Sequence, residues 1–334
     1  MNSRQRSLIP VFGFALTLIL LTSAYAAELK QPEGFPAKEL ELIVGWNPGS
    51  TSDRNARSMK PFFDEVLGSP LLITNKPGAS SLAAWNTYFL SDKGEAKSFI
   101  FTNWPVAYQY ILNDTAKYTI EDFHHLGGVN NDPIMFLKRK DDTRWKNFAD
   151  FVKDCKANPK KYKVSMTGPK SFQTLVARYV MDVLEIDFNI VTSPGGANEA
   201  NQFLAGGHVD LCLTNAYSGY MIREVAQSLG LLSKSKVPNM WPEATPISEQ
   251  VGKPLAELTV LRGYAISTKS AKNHPERVAY LEKALSLACT HPDFKKLNET
   301  SGESDVAYWI PKGEFEKLLK DNLEIIEKYK QFLK

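Results

Sequence analysis

Short apolar runs alternate with amphipathic stretches along most of the chain. Runs rich in Val, Ile, Leu and Phe predict strands over 40–46, 71–75, 98–103, 134–138, 162–167, 188–192, 209–215 and 259–267. Between most of them, apolar positions at helical spacing predict helices over 53–67, 82–90, 147–157, 171–184, 197–205 and 217–228. Two more helices, 276–288 and 314–332, close the chain. The second follows Pro311-Lys312-Gly313 and carries Leu318, Leu319, Leu323, Ile326 and Tyr329 at helical spacing, and its alternating charges read as a solvated face. Strand–helix alternation of this kind predicts an α/β fold with largely parallel sheets. There is no internal repeat and no low-complexity tract.

Ligands of open α/β sheets lie beyond the carboxyl ends of the strands. Six turns at those ends, 47–53, 75–81, 102–105, 167–174, 193–198 and 215–217, are rich in Gly, Ser, Thr and Asn and poor in charge. Any one of them reads as ordinary turn and capping chemistry. Six together predict a shared polar cleft. The sharpest signal is 40–57, where an apolar run stops at Asn47-Pro48-Gly49-Ser50-Thr51-Ser52 and leads straight into a helix. Free N–H groups at the positive end of a helix seat an anionic oxygen. Trp46 and Trp104 each follow a strand, as core residues or as pocket walls.

The ends and the charge narrow the setting. Arg4 and Arg6, the apolar stretch 8–21 and Ala24-Tyr25-Ala26 form a secretory signal over 1–26, with Ala27 as the mature start. Loss of that leader takes the net charge from +3 to +1. A near-neutral chain argues against nucleic-acid or polybasic membrane roles. The remaining 308 residues suggest two lobes. Of the three cysteines, Cys155, Cys212 and Cys289, either two form a disulfide or all are buried thiols, and spacing does not choose.

Catalytic chemistry is thin. The five histidines, His124, His125, His208, His274 and His291, form no HExxH-like spacing, and the chain has no GxSxG elbow, no phosphate-binding GxxxxGK[ST] loop and no CxxC. Gly195-Gly196 alone is no dinucleotide fingerprint. No cofactor or metal is called for.

In order along the chain, these loops resemble the Bug/TctC family of extracytoplasmic solute receptors, the binding components of tripartite tricarboxylate transporters. Gly45 to Asp53 with Ala56-Arg57 looks like the family's first turn and helix, and Ile73 to Ser80 is similar to its Val-x-Asn-x-Pro-Gly-Ala-Gly segment. Phe148 to Pro159, Thr167-Gly168 with Ser171 to Leu175, Pro194 to Ala197 with Phe203 to Asp210, Val237-Pro238 to Val251-Gly252, and Arg262-Gly263 continue the resemblance. Trp46, Pro48, Ser50, Ser80-Ser81 and Ser91-Asp92-Lys93-Gly94 depart from it, which bears on the ligand more than on the fold.

The resemblance implies a two-lobed periplasmic-binding-protein-like fold of type II, with lobe 1 over 36–133 plus 261–334 and lobe 2 over 134–260, closing on a carboxylate. It implies a di- or tricarboxylate or aromatic acid held by Trp46, Asn47, Gly49, Ser50, Thr51, Ser52, Pro77, Gly78, Ala79, Ser80 and Asn103 from the first lobe. From the second it implies Thr167, Gly168, Ser171, Phe172, Thr174, Gly195, Gly196, Asn198 and Asn215. Backbone N–H groups and hydroxyls would suffice without an arginine, and Asp53 would cap its helix or pair with Arg57. The partners implied are membrane transporter subunits, the chain being a periplasmic monomer. Under this division a Cys289 bridge would staple the lobes, so any disulfide would be Cys155–Cys212. Two other uses of such a cleft are a sensor's ligand receptor and an exported enzyme acting through Ser171 or His208.

Overall fold

The computed structural model describes residues 31–36, 40–79, 81–193 and 195–333. The predicted signal over 1–26 and residue Ser80 lie outside these residues. The strands are β1 (Leu40–Val44), β2 (Leu71–Asn75), β3 (Ser98–Trp104), β4 (Phe123–Arg139), β5 (Lys163–Thr167), β6 (Asn189–Ser193), β7 (Leu211–Asn215), β8 (Ala226–Leu231) and β9 (Thr259–Ser267). The helices are α1 (Thr51–Leu67), α2 (Leu82–Ser91), α3 (Val106–Leu112), α4 (Phe148–Ala157), α5 (Phe172–Leu184), α6 (Gly196–Ala205), α7 (Ala216–Tyr220), α8 (Ile247–Val251), α9 (Thr268–Asn273), α10 (Pro275–Thr290), α11 (Pro292–Thr300) and α12 (Lys312–Lys328).

The strands follow one path, β2-β1-β3-β9-β4-β7-β5-β6, with β8 added on β4. The β1–β2, β1–β3, β5–β6 and β5–β7 pairs are parallel, as strand–helix alternation demands. All pairs made by β4 and β9 are antiparallel, so the sheet is mixed rather than mainly parallel. These two long strands join the halves. Residues 123–133 of β4 pair with β9, and residues 134–139 pair with β7 on one side and β8 on the other.

Period-two alternation buries both faces of each half. In β1, Leu42 and Val44 pack with Met59, Phe63 and Phe101, while Ile43 packs with Trp85 and Trp104 on the opposite face. In β4, Ile134 and Phe136 pack with Phe148 and Val176, and Met135 and Leu137 pack with Leu204 and Trp241. The β4 ladder shifts register on either side of Gly127-Gly128. A Cβ on Gly263 would meet the Gly128 Cα at 3.0 Å and overlap the Gly127 carbonyl, so only glycine lets β9 cross this bulge.

Two sequence expectations change. Strand 134–138 begins eleven residues earlier, because Asn130, Asn131 and Asp132 are buried polar residues that break the apolar pattern. The helix over 217–228 ends at Tyr220, and its second half instead forms β8, which pairs with β4. The C-terminal helix spans both halves. Phe315 and Leu319 pack with Trp104 and Tyr118, whereas Ile326, Tyr329 and Leu333 pack with Val176 and Tyr179.

All three cysteines are free and buried. Cys155 and Cys212 sit in different core clusters, where their thiols donate to the Asp187 carbonyl at 3.1 Å and to Asn201 Oδ1 at 3.3 Å. The conditional Cys155–Cys212 disulfide does not form.

Candidate functional site

The carboxyl ends of the strands open onto a cleft of about 670 Å³. Trp46 and Asn103 reach it from the half built on β1 and β3, and Thr167, Gly168, Ser171, Phe172 and Asn215 from the half built on β5 and β7. Trp46 stands edge-on to Trp85 at 5.6 Å and walls the cleft, whereas Trp104 is buried against Phe123. Sequence reasoning missed Gln109 and Tyr110 of α3, Lys170, Gln173, Ser218 and Arg262, which also line it. The lining contains two cations, Arg262 and Lys170, and no carboxylate.

The floor is a run of buried polar contacts placed by register. Arg262 of β9 stands between Asn103 of β3 and Asn130 of β4, and Ile134 of β4 stands opposite Asn215 of β7. Arg262 Nη1 donates to Asn130 Oδ1 and lies 3.7 Å from Asp132 Oδ2. Asp132 accepts from Asn215 Nδ2 at 2.7 Å and from the Tyr217 N–H at 3.0 Å. Asn215 Oδ1 accepts from Gln173 Nε2 at 3.2 Å, and Gln173 Oε1 accepts from Thr167 Oγ1 at 2.7 Å. Burial pushes the Asp132 carboxyl up, although Arg262 and the two donors oppose it, and burial pulls the guanidinium of Arg262 down.

Asn47, Gly49, Ser50, Ser52, Pro77, Gly78, Ala79, Thr174, Gly195, Gly196 and Asn198 are not among the residues lining this cleft. The backbone of α1 begins at Thr51, whose side chain, like Ser80, lies outside the described set. The reason is visible in the first loop. Ser50 caps α1 by accepting the Asp53 N–H at 3.3 Å, and its own N–H goes to the Asn47 carbonyl at 3.1 Å. The buried Asp53 carboxylate takes the Gly49 N–H at 2.8 Å and Asn75 Nδ2 at 2.9 Å. It also takes Arg57 Nε, so the expected pair with Arg57 is present and the cap is Ser50. The loop's anion seat is thus partly filled from within.

A second acid does the same for α6. Glu199 accepts the Gly195 N–H at 2.7 Å and the Ser193 hydroxyl, and the Ser193 contact first and the Gly195 N–H second hold its carboxyl below the ordinary range. The N-terminus of α5 differs. Its first turn carries no acid, Ser171 caps it by accepting the Thr174 N–H at 3.2 Å, and Thr174 Oγ1 donates to the Gly168 carbonyl at 2.9 Å. With Lys170 beside it, this is the junction that keeps its positive end open to the cleft.

A contact also crosses the cleft. Gln109 Nε2 donates to the Lys170 carbonyl from the other half, while within one half the Tyr110 hydroxyl donates to the Ala79 carbonyl. His208 lies apart from Ser171, in a separate polar cavity of about 470 Å³ with Arg139 and Asp210. Among the described residues there is no group of three or more His, Cys, Asp or Glu placed to hold a metal ion, and no helix long and apolar enough to cross a membrane.

The profile of the tripartite tricarboxylate transporter family receptor, TctC, matches residues 56–329. The chain belongs to this family. Solved structures agree with the fold. A TctC solute-binding protein from Polaromonas superposes with a TM-score of 0.74 at 22% identity, covering 88% of this chain and 99% of that one. MatC from Rhodopseudomonas palustris, solved with bound malate, gives 0.66 at 18% identity over 90% of this chain and 100% of its own. A further R. palustris protein, solved with adipate, gives 0.67 at 17% identity over 90% and 98%. This TctC receptor therefore has the periplasmic-binding-protein-like α/β fold, with its polar cleft where the strands end.

Proposed function

We propose that this TctC receptor is a periplasmic solute-binding protein that captures a small organic carboxylate, most simply a dicarboxylate, and delivers it to a tripartite tricarboxylate-type membrane transporter. One observation carries the reading: the cleft lining holds Arg262, Lys170 and the acid-free start of α5, and no carboxylate of its own. A volume of about 670 Å³ suits a small ligand with water, which bridges polar groups at little cost. The dicarboxylates malate and adipate occupy two structural neighbours, which supports the same ligand class here.

The chain path supports capture by closure. The two lobes, taken as 36–133 with most of 261–334 and as 134–260, are joined through β4 and β9. Closure would bend these strands near Pro133–Ile134 and Leu258–Thr259, and the Gln109–Lys170 contact already joins α3 to the start of α5. Asp132 lies beside that bend, and with Arg262 on the neighbouring strand it forms the floor of the site.

A thermal-shift panel of mono-, di- and tricarboxylates on ligand-free protein tests the ligand class. A ligand present at one hundred times its dissociation constant adds about 2.7 kcal/mol to apparent stability. Uptake of the labelled acid by cells lacking this receptor tests delivery, with loss of uptake expected. Binding without any loss of uptake would favour a sensory role.

A further inference from the structure

Arg262 is the single charged residue in β9, a strand whose every residue is buried. Its place as a lone charge in an apolar strand is the signal in the sequence, although the resemblance implied a cleft that would manage without an arginine. Its guanidinium offers five N–H donors in one plane. Nη1 is committed to Asn130 Oδ1, the 3.7 Å separation from Asp132 is too long for a hydrogen bond, and Nε has no partner. A buried charged donor left without an acceptor is costly, and the residue that carries it lines the cleft.

We infer that Arg262 is the specificity-determining residue of the site, its guanidinium donating to one ligand carboxylate on the cleft floor from the side that Asn130 leaves free. This deepens the carboxylate reading and rests on it. Asn130 holds the guanidinium from the opposite edge. Asp132, fixed by Asn215 and the Tyr217 N–H from the other half, keeps the buried charge balanced when the cleft is empty. A planar fork on a two-oxygen anion gives geometric selection that a lysine or a hydroxyl does not. The two carboxylates of the ligand then have separate seats, one at Arg262 and one at the start of α5 beside Lys170.

The test is calorimetric titration of the full-length mature protein, freed of ligand, with malate, succinate, glutarate, adipate and citrate and with their neutral amides, the amides by displacement. Removing Arg262 alone strands Asp132 in the core, so Arg262→Gln is paired with Asp132→Asn, and the melting temperature of both variants is recorded. The folded double variant is expected to lose about 10- to 100-fold in affinity for the acid and much less for its amide, so the acid-to-amide preference collapses. A folded variant that loses affinity for both alike, or for neither, overturns the role of Arg262 and leaves the carboxylate reading standing. A wild-type protein that binds none of these acids overturns that reading, and the role of Arg262 with it.

Discussion

The Nε of Arg57 lies 2.9 and 3.0 Å from the two carboxylate oxygens of Asp53, one helical turn away, and Arg57 Nη2 continues to Asn75 Oδ1 at 2.9 Å. This pair locks the turn after β1 to the turn after β2. It also places an internal carboxylate in the loop that most suggests an anion seat.

Asp53 should mark the acid limb of stability. Burial alone would raise its carboxyl, but Arg57, the Gly49 N–H and Asn75 together hold it below its ordinary value of 3.8. A carboxyl lowered by folding contributes stability that is present above its unfolded value and is lost as pH falls through its folded value. Urea denaturation across the acid range should therefore show wild-type stability falling below about pH 4. Asp53→Asn should cost about 1–3 kcal/mol at neutral pH and flatten that acid slope. An unchanged slope would show that the pair contributes nothing.

Gly45→Ala should be poorly tolerated. A Cβ at that position would stand 2.7 Å from the Ser81 Cα and overlap the Ser81 side chain. Ser81 is fully buried with a left-handed φ of 79°, so it cannot easily retreat. Overpacking here should cost about 1–3 kcal/mol in chemical denaturation. It should also weaken ligand binding by displacing Trp46, next in the chain.

How far the sequence foretold this molecule depends on where polar residues sit. Apolar strands beside core helices were legible: β2, β9 and α5 lie within a residue or two of their predicted bounds. The first part of β4 was not, because Asn130, Asn131 and Asp132 are buried polar residues that interrupt the apolar pattern. β8 was hidden by its small and polar residues, Ala-Gln-Ser-Leu-Gly-Leu, which read equally well as helix. In the site, Asn103, Ser171 and Asn215 were found by turn composition, and Trp46 as an aromatic just past a strand. Gln173 falls in the searched turn 167–174 but was passed over because it belongs to the helix that follows, and Arg262 lies in a strand outside those turns. A lone arginine inside an apolar strand was the available signal for Arg262. Asp53 and Glu199 were visible too, but only the folded loops show that each fills its own helix terminus.

Glu199 offers a gain-of-affinity test. Its carboxylate sits at the start of α6, next to the cleft residue Ala197. Glu199→Gln should remove a repulsive charge and raise carboxylate affinity by about 2- to 5-fold at low salt, with the gain shrinking as salt is added. A loss of affinity would show that Glu199 orders the loop more than it repels the ligand.

The thiols should be inert in the native protein. Burial pushes Cys155 up to about 11 and Cys212 up to about 12, and it raises Cys289 as well. Alkylation at about pH 8 without reductant should be slow in buffer and complete at all three cysteines in denaturant, as read by mass. Modification at only one site in denaturant would reveal a disulfide.

The central claim is that the cleft lined by Arg262, Lys170 and the start of α5 binds a small carboxylate. Calorimetric titration of the ligand-free protein with malate and adipate addresses it directly, with citrate and an aromatic acid as the next titrants. Saturable one-to-one binding of at least one acid, lost or much weakened in Lys170→Ala with Ser171→Ala, is the predicted result. Absence of binding by all of these acids, or binding that those substitutions leave unchanged, would contradict the account.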